Sequence, residues 1–216
     1  MPSLVGSEMC IRDRFEGKRL GVLKPLLTDS IYAATIEKIK KSGAVIVEIT
    51  PPEISFNGFL TLLNIDMKHD LPKYLTKQAD KSIYVENVKS VVEFNKKDTL
   101  LRAPYGQQLF EGIVKDTTTL AELEIIKNNL KSEGEKYLQT LESEKLDAIL
   151  SINNYHSGIA AVALHPTLTV PMGYKTTGEP VSLTFIGKPF SERKLLEIGY
   201  AFEQLTKVRK MPKNYQ

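Results

Sequence analysis

The chain has 216 residues, with 29 Lys and Arg against 26 Asp and Glu, 42% hydrophobic residues, 13 Gly, 11 Pro and one Cys. This is the composition of a soluble globular protein long enough to remove roughly 70% of its unfolded surface from water, and it excludes disordered and collagen-like chains. A net charge of +3 without a basic stripe argues against a nucleic-acid partner, and one Cys with 3 scattered His offers neither a disulfide nor a ligand-spaced metal cluster. No apolar run approaches the roughly 20 residues of a membrane-spanning helix.

Residues 1–14, MPSLVGSEMCIRDR, have no helical or strand period and no apolar core of signal-peptide length. Residues 4–13, LVGSEMCIRD, resemble one reading frame of a translated sequencing adapter. The segment, with the sole cysteine Cys10, is expected to be an artefact or a disordered arm, and the domain to occupy residues 15–216.

From there the pattern reads β, α, β. Residues 19–23 form a short apolar strand, and Thr28, Asp29 and Ser30 supply N-cap oxygens for a helix with Tyr32, Ile36 and Ile39 on one face, ended by Gly43. Residues 44–49, AVIVEI, are β-branched and almost continuously apolar, as expected of a parallel strand covered on both faces, and the crossover between the two strands is expected to be right-handed. Residues 56–78 carry apolar side chains at spacings of three and four with Pro72 inside, which fits two helices or one kinked helix.

A short amphipathic segment at 85–96 and a turn at Pro104, Tyr105 and Gly106 lead to the clearest helix. Thr119 and Glu122 form a capping box, and Leu123, Ile126, Leu130, Gly134, Tyr137 and Leu141 line one face. Glycine in such a stripe is unfavourable by about 1 kcal/mol against alanine, so Gly134 is expected to permit close packing against another element. Residues 146–152, LDAILSI, read as a buried strand entering the polar corner Asn153, Asn154, Tyr155 and His156. Two strands, 167–170 and 181–186, are expected to pair antiparallel around Gly178, and Ser191 is expected to cap a last helix burying Leu195, Ile198, Phe202 and Leu205.

No G-x-S-x-G, P-loop, G-x-G-x-x-G or H-E-x-x-H occurs. Ser157, His165 and Asp147 are arithmetically available for a triad, but triads are recognised by geometry and nothing in the spacing supports one. His165, before Pro166, is expected instead to close a hydrogen bond at a strand entrance. His156 and Asn153 have a stronger claim, because α/β sheets bind ligands outside the carboxyl ends of strands; they read either as pocket lining or as turn chemistry. Gln107 and Gln108 follow a tight turn and either present an amide to a substrate or begin a helix. Lys24 follows a strand with no serine partner at hand.

Residues 165–212 contain a T-V-P-x-G strand at 169–173, a turn through Gly178 and Pro180, an L-T-F-I-G strand at 183–187 and a final helix with Y-A-F-E-Q at 200–204. This run resembles the closing segment of the amidase signature family. The G-K-R-L-G-V strand at 17–22, the segment at 43–49, Phe94-Asn95 and Gly106-Gln107 agree with it. The resemblance implies an α/β fold with a mixed β-sheet covered by helices. It also implies hydrolysis of a carbon–nitrogen amide bond in a small-molecule amide by a Ser, cis-Ser and Lys triad, without metal or organic cofactor. The family's Gly/Ser-rich nucleophile segment is expected before the strand at 17–22, yet no Ser-Ser or Gly-Gly-Ser occurs in the chain, so no catalytic residue carries over. The chain is therefore expected to be the C-terminal portion of an amidase domain, inactive alone, with any signal peptide upstream. Val170-Pro171-Met172-Gly173 stands where the tRNA-dependent amidotransferase A subunit has V-P-C-G, which favours a general amidase. The rivals are a noncatalytic α/β ligand-binding module, which the unit at 19–49 alone would suit, and a partner-requiring subunit.

Overall fold

Five strands make one sheet in the order β2-β1-β3-β5-β4: β1 (Arg19–Leu23), β2 (Val45–Ile49), β3 (Ala148–Ile152), β4 (Thr167–Tyr174) and β5 (Pro180–Ile186). The computed structural model describes residues 15–212, so the reading of residues 1–14 lies outside the described residues. The helices, in chain order, are α1 (Ser30–Lys41), α2 (Phe59–Gln78), α3 (Val88–Lys96), α4 (Thr99–Arg102), α5 (Gln108–Lys115), α6 (Leu120–Leu138), α7 (Thr140–Ser143), α8 (Ser157–Val162) and α9 (Glu192–Thr206). The chain divides into two compact units: residues 55–130 form a helical unit, and the residues on either side form the sheet unit.

In the sheet unit β1 runs parallel to β2 and β3, while β5 is antiparallel to both β3 and β4. The sheet is mixed, as the sequence implied. One face packs Leu20, Val22, Leu150, Leu183 and Phe185 against Tyr32, Ile36 and Ile39 of α1 and Leu195, Ile198 and Phe202 of α9. The other face packs Ile149 and Ile186 against Leu138, Leu141, Ala160 and Ala163. Helices therefore cover both faces, the arrangement a strand such as β3, buried at all five positions, requires. Two glycines let helices approach closely: a Cβ on Gly134 would lie 2.9 Å from the Ile159 carbonyl oxygen, and one on Gly199 would run into Leu168 Cδ2.

Asp29 caps α1 as expected, its Oδ1 accepting from the Ile31 and Tyr32 amides at 2.9 Å each. Four expectations need correction or resolution. β2 is the sheet edge, paired only with β1, and its cover is partial on both faces: Ile46 packs against one apolar cluster and Val47 and Ile49 against the other, while Val45 is 43% exposed. Its continuous apolar run signals contact with both faces but not the open edge, because periodicity reports on faces and not on strand neighbours. Ser191 precedes α9, but its hydroxyl donates backwards to the Lys188 carbonyl at 2.6 Å and caps nothing. Leu205 is exposed, whereas Gly199 and Ala201 join Leu195, Ile198 and Phe202 in the buried face. Leu141 belongs to the short helix α7, because α6 ends at Leu138.

In the helical unit α2 is a single helix running through Pro72, and Thr76 Oγ1 donates to the Pro72 carbonyl at 2.8 Å. Asn87 and Ser90 make a reciprocal capping box for α3. Lys68 Nζ donates to the Asp116 carbonyl at 2.7 Å and Asn64 Nδ2 to Asp116 Oδ2 at 3.1 Å, tying α2 to the end of α5. The Thr119–Glu122 capping box forms as read, the Thr119 amide donating to Glu122 Oε2 at 2.8 Å.

Candidate functional site

The carboxyl end of β3 opens into the corner at 153–156. Asn153 has φ of +47°, a left-handed conformation that asparagine tolerates better than most residues. The corner is fastened to β5 by several bonds. Asn153 N donates to the Ser182 carbonyl at 2.9 Å, the Ser182 amide donates to Asn153 Oδ1 at 2.8 Å, and Thr184 Oγ1 donates to the Asn153 carbonyl. Thr184 in turn meets Thr169 Oγ1 of β4 at 2.8 Å, so a polar ladder crosses the sheet beneath the turn. Asn153 thus has its Oδ1 committed to the backbone of β5.

His156 closes the same corner. Its Nδ1 lies 2.6 Å from the Oγ of Ser151, a fully buried residue of β3, and its ring stacks on Tyr137 of α6 at 5.5 Å between centroids and 23° between planes. Burial pushes the imidazole below its ordinary value and the Tyr137 phenol up to about 12. Beneath, the buried Tyr32 hydroxyl donates to the Leu150 carbonyl at 2.8 Å, and burial raises its pKa far above the usual phenol range. The corner is therefore preset: a half-buried imidazole is held edge-on by a serine and face-on by a tyrosine.

Gln107 lies in the helical unit, at the N-cap of α5, where its side chain caps nothing. Its Nε2 reaches the Val92 carbonyl at only 3.5 Å, and its Oε1 is buried without a hydrogen-bond partner. Of the three pocket candidates read from the sequence, Asn153 and His156 share one turn and Gln107 belongs to the other unit.

The triad arithmetic dissolves on geometry. His165 Nδ1 meets the Gly187 carbonyl at 2.7 Å, the strand-entrance bond expected of it. Asp147 accepts from the Arg19 amide at 2.9 Å and from Lys194 Nζ at 2.8 Å. Burial alone would raise that carboxyl, but Lys194 and the Arg19 amide outweigh it and hold it below its ordinary value. Among the described residues no group of three His, Cys, Asp or Glu is placed to hold a metal, and no helix is long and apolar enough to cross a membrane.

Sequence reasoning overlooked Ser151 and Tyr137. A lone serine in an apolar strand five residues before a histidine was the available signal for the first; Tyr137 was indistinguishable from packing in the α6 stripe.

The chain is similar to amidases in both sequence and structure. A "probable amidase" of Arabidopsis thaliana is 31% identical over 92% of this chain and 40% of its own length. The crystal structure of an amidase family protein from Bacillus anthracis superposes with a TM-score of 0.80 at 33% identity, over 93% of this chain and 41% of that one. The chain belongs to the amidase signature family. A peptide amidase from Stenotrophomonas maltophilia matches with a TM-score of 0.76 and 26% identity, over 95% of this chain and 46% of that one. No family model matches the chain. This amidase-signature chain spans 40 to 46% of the length of these three relatives.

Proposed function

We propose that the chain is the C-terminal portion of a general amidase, whose whole hydrolyses a carbon–nitrogen amide bond of a small molecule, and that it is inactive alone. The observation carrying this reading is the asymmetry of coverage: the match to the amidase family protein of Bacillus anthracis takes in 93% of this chain but 41% of that one. The sequence agrees, because amide hydrolysis needs a nucleophile with an adjacent base and donors for the developing oxyanion. The Ser, cis-Ser and Lys that fill the first two roles in the family have no counterpart in this sequence. In this reading Asn153 and His156 help to line the substrate pocket from the carboxyl end of β3, and the buried, unpartnered Oε1 of Gln107 makes that residue a separate pocket candidate within the helical unit. The amidase domain then begins within the described residues near 15 and excludes 1–14.

The test has two arms. The full chain is assayed against aryl and aliphatic amides beside a fluorophosphonate probe that labels activated serines, and the genomic DNA upstream of Phe15 is sequenced and expressed in frame. Silence from the chain together with turnover and labelling in the extended protein supports the reading. Turnover by the chain with labelling of Ser157 overturns it, and so does an upstream start codon bordering an unrelated gene.

A further inference from the structure

We infer that Ser151 locks His156 as an Nε2–H donor, braced by Tyr137, and that this donor positions an uncharged carbonyl oxygen of the amide substrate. The inference rests on the amidase reading and gives one of its pocket residues a defined chemical role.

Proton bookkeeping fixes the tautomer. Ser151 is fully buried in β3, and its Oγ has one hydrogen-bond partner among the described residues, His156 Nδ1 at 2.6 Å. Were Nδ1 to carry the proton, the serine hydroxyl would be left buried with its own proton unbonded, a loss of about 1–3 kcal/mol. The hydroxyl therefore donates and Nδ1 accepts, which places the single ring proton on Nε2. An imidazolium would need protons on both nitrogens and is disfavoured at neutral pH by the same bond; burial acts in the same direction.

Tyr137 stacks on the ring face at 5.5 Å and fixes its plane, and turning the ring over within that plane would break the bond to Ser151. Nε2 has no hydrogen-bond partner among the described residues. Asn153 adds a second observation of the same sign. Its Oδ1 accepts from the Ser182 amide, an N–H that admits no alternative assignment, so its Nδ2 is the outer atom, and it too is unbonded among the described residues. The two half-buried side chains of the corner have thus used their acceptors internally and have only N–H donors left over. A site with neutral donors suits a neutral acceptor such as an amide carbonyl. A carboxylate would bring an unpaired charge to a half-buried place, and an ammonium group would find no acceptor.

His156 is accordingly a positioning residue, and its role can be read without turnover. Long-range nitrogen–proton correlation spectra of the full, nitrogen-15-labelled chain distinguish the tautomers of its 3 histidines. His156 is expected as the pure Nε2–H form at pH 7, and Ser151→Ala is expected to release it to a mixture; an Nδ1–H or averaged pattern in the unsubstituted chain overturns the inference. Benzamide and sodium benzoate are then titrated as neutral and charged probes. Benzamide is expected to shift His156 Nε2 saturably and benzoate to leave it in place. His156→Gln, which keeps an N–H near the Nε2 position, should retain benzamide binding, whereas His156→Phe, which keeps the stack, should lose roughly fivefold to tenfold in affinity. Equal binding by His156→Phe and the unsubstituted chain, or tighter binding of benzoate, overturns the carbonyl assignment. If the extended protein shows no amidase activity, the function reading fails while the tautomer result still stands or falls by itself.

Discussion

The sheet unit and the helical unit both contain amphipathic elements, yet the first buries far more of its apolar residues, although Phe190 is 96% exposed there. In the sheet unit β3 is buried at every position and two apolar clusters occupy the two faces. In the helical unit Tyr84 is 92%, Leu100 88% and Tyr105 98% exposed, and a small buried set, Ile65, Val88, Val92, Ile113, Leu123 and Leu130, is supplemented by caps and polar ties such as Asn87 with Ser90 and Lys68 with Asp116. The difference teaches that the two units draw stability from different sources. Each buried large side chain is worth about 1.5–3 kcal/mol and such contributions accumulate layer by layer, whereas a cap or a surface tie is worth about 1 kcal/mol or less.

The sharpest way to break this comparison is to truncate one apolar residue in each unit. Phe202 of α9 is fully buried and packs edge-on to Phe185 at 5.6 Å between ring centroids. Phe202→Ala is expected to lose about 3–5 kcal/mol of stability, while Leu100→Ala stays within about 0.5 kcal/mol. Urea midpoints of the two variants decide; comparable losses would mean that Leu100 is covered by something, and the contrast between the units would collapse.

A single substitution type should also change sign between the units. A Cβ on Gly134 meets the Ile159 carbonyl oxygen at 2.9 Å and Ala163 Cβ at 3.0 Å, whereas one on Gly112 of α5 meets nothing within 4 Å. Gly134→Ala is therefore expected to destabilise by about 1–3 kcal/mol through overpacking against α8, and Gly112→Ala to stabilise by up to about 1 kcal/mol through helix propensity. Thermal melts of both variants should move in opposite directions.

The same contrast explains which features were legible in the sequence. The strands β1, β3 and β5, the caps at Asp29 and Thr119 and the close approach at Gly134 could be read because each rests on local signals: an apolar run, a side-chain acceptor, a glycine in a stripe. Position within the sheet is not local. The edge placement of β2 depends on β3, about a hundred residues away, pairing with the other side of β1, and the run at 44–49 gives no sign of that. Ser191 shows the converse failure: a capping residue stood at the right place, but the turn before it presented the Lys188 carbonyl as a better partner. At the candidate site His156 and Asn153 were visible as a polar corner after a buried strand. The partners that give them chemistry, Ser151 and Tyr137, were masked by their roles in strand and helix patterns.

A smaller effect separates the units by pH. Burial holds the His156 pKa below its ordinary 6.5, so near that value the unfolded chain binds more protons than the folded one. Stability contributed by neutral His156 is fully present above pH 6.5 and is lost as pH falls from there through the folded pKa. The urea midpoint of the chain should therefore decline across that window, and His156→Gln should decline less. A decline of equal size in both would assign the effect to other groups and remove His156 from the comparison.

The smallest expected difference lies in the ion pairs. Lys127 and Asp66 of the helical unit meet at 3.0 Å with side chains 36% and 44% exposed, whereas Lys194 and Asp147 of the sheet unit meet at 2.8 Å with Asp147 19% exposed and also bonded to the Arg19 amide. Solvent screening reduces the first pair to about 0–1 kcal/mol, and at 1 M salt the screening length contracts to about 3 Å, which weakens an exposed pair further. Lys127→Met should therefore lower stability slightly in dilute buffer and not at all in 1 M sodium chloride. Lys194→Met should retain part of its effect in high salt, because it leaves a carboxylate shielded from water and satisfied on one side only. Equal salt sensitivity of the two variants would show that the Asp147 side chain is as well solvated as Asp66, and the distinction between a unit held by burial and a unit held by surface ties would lose its electrostatic part.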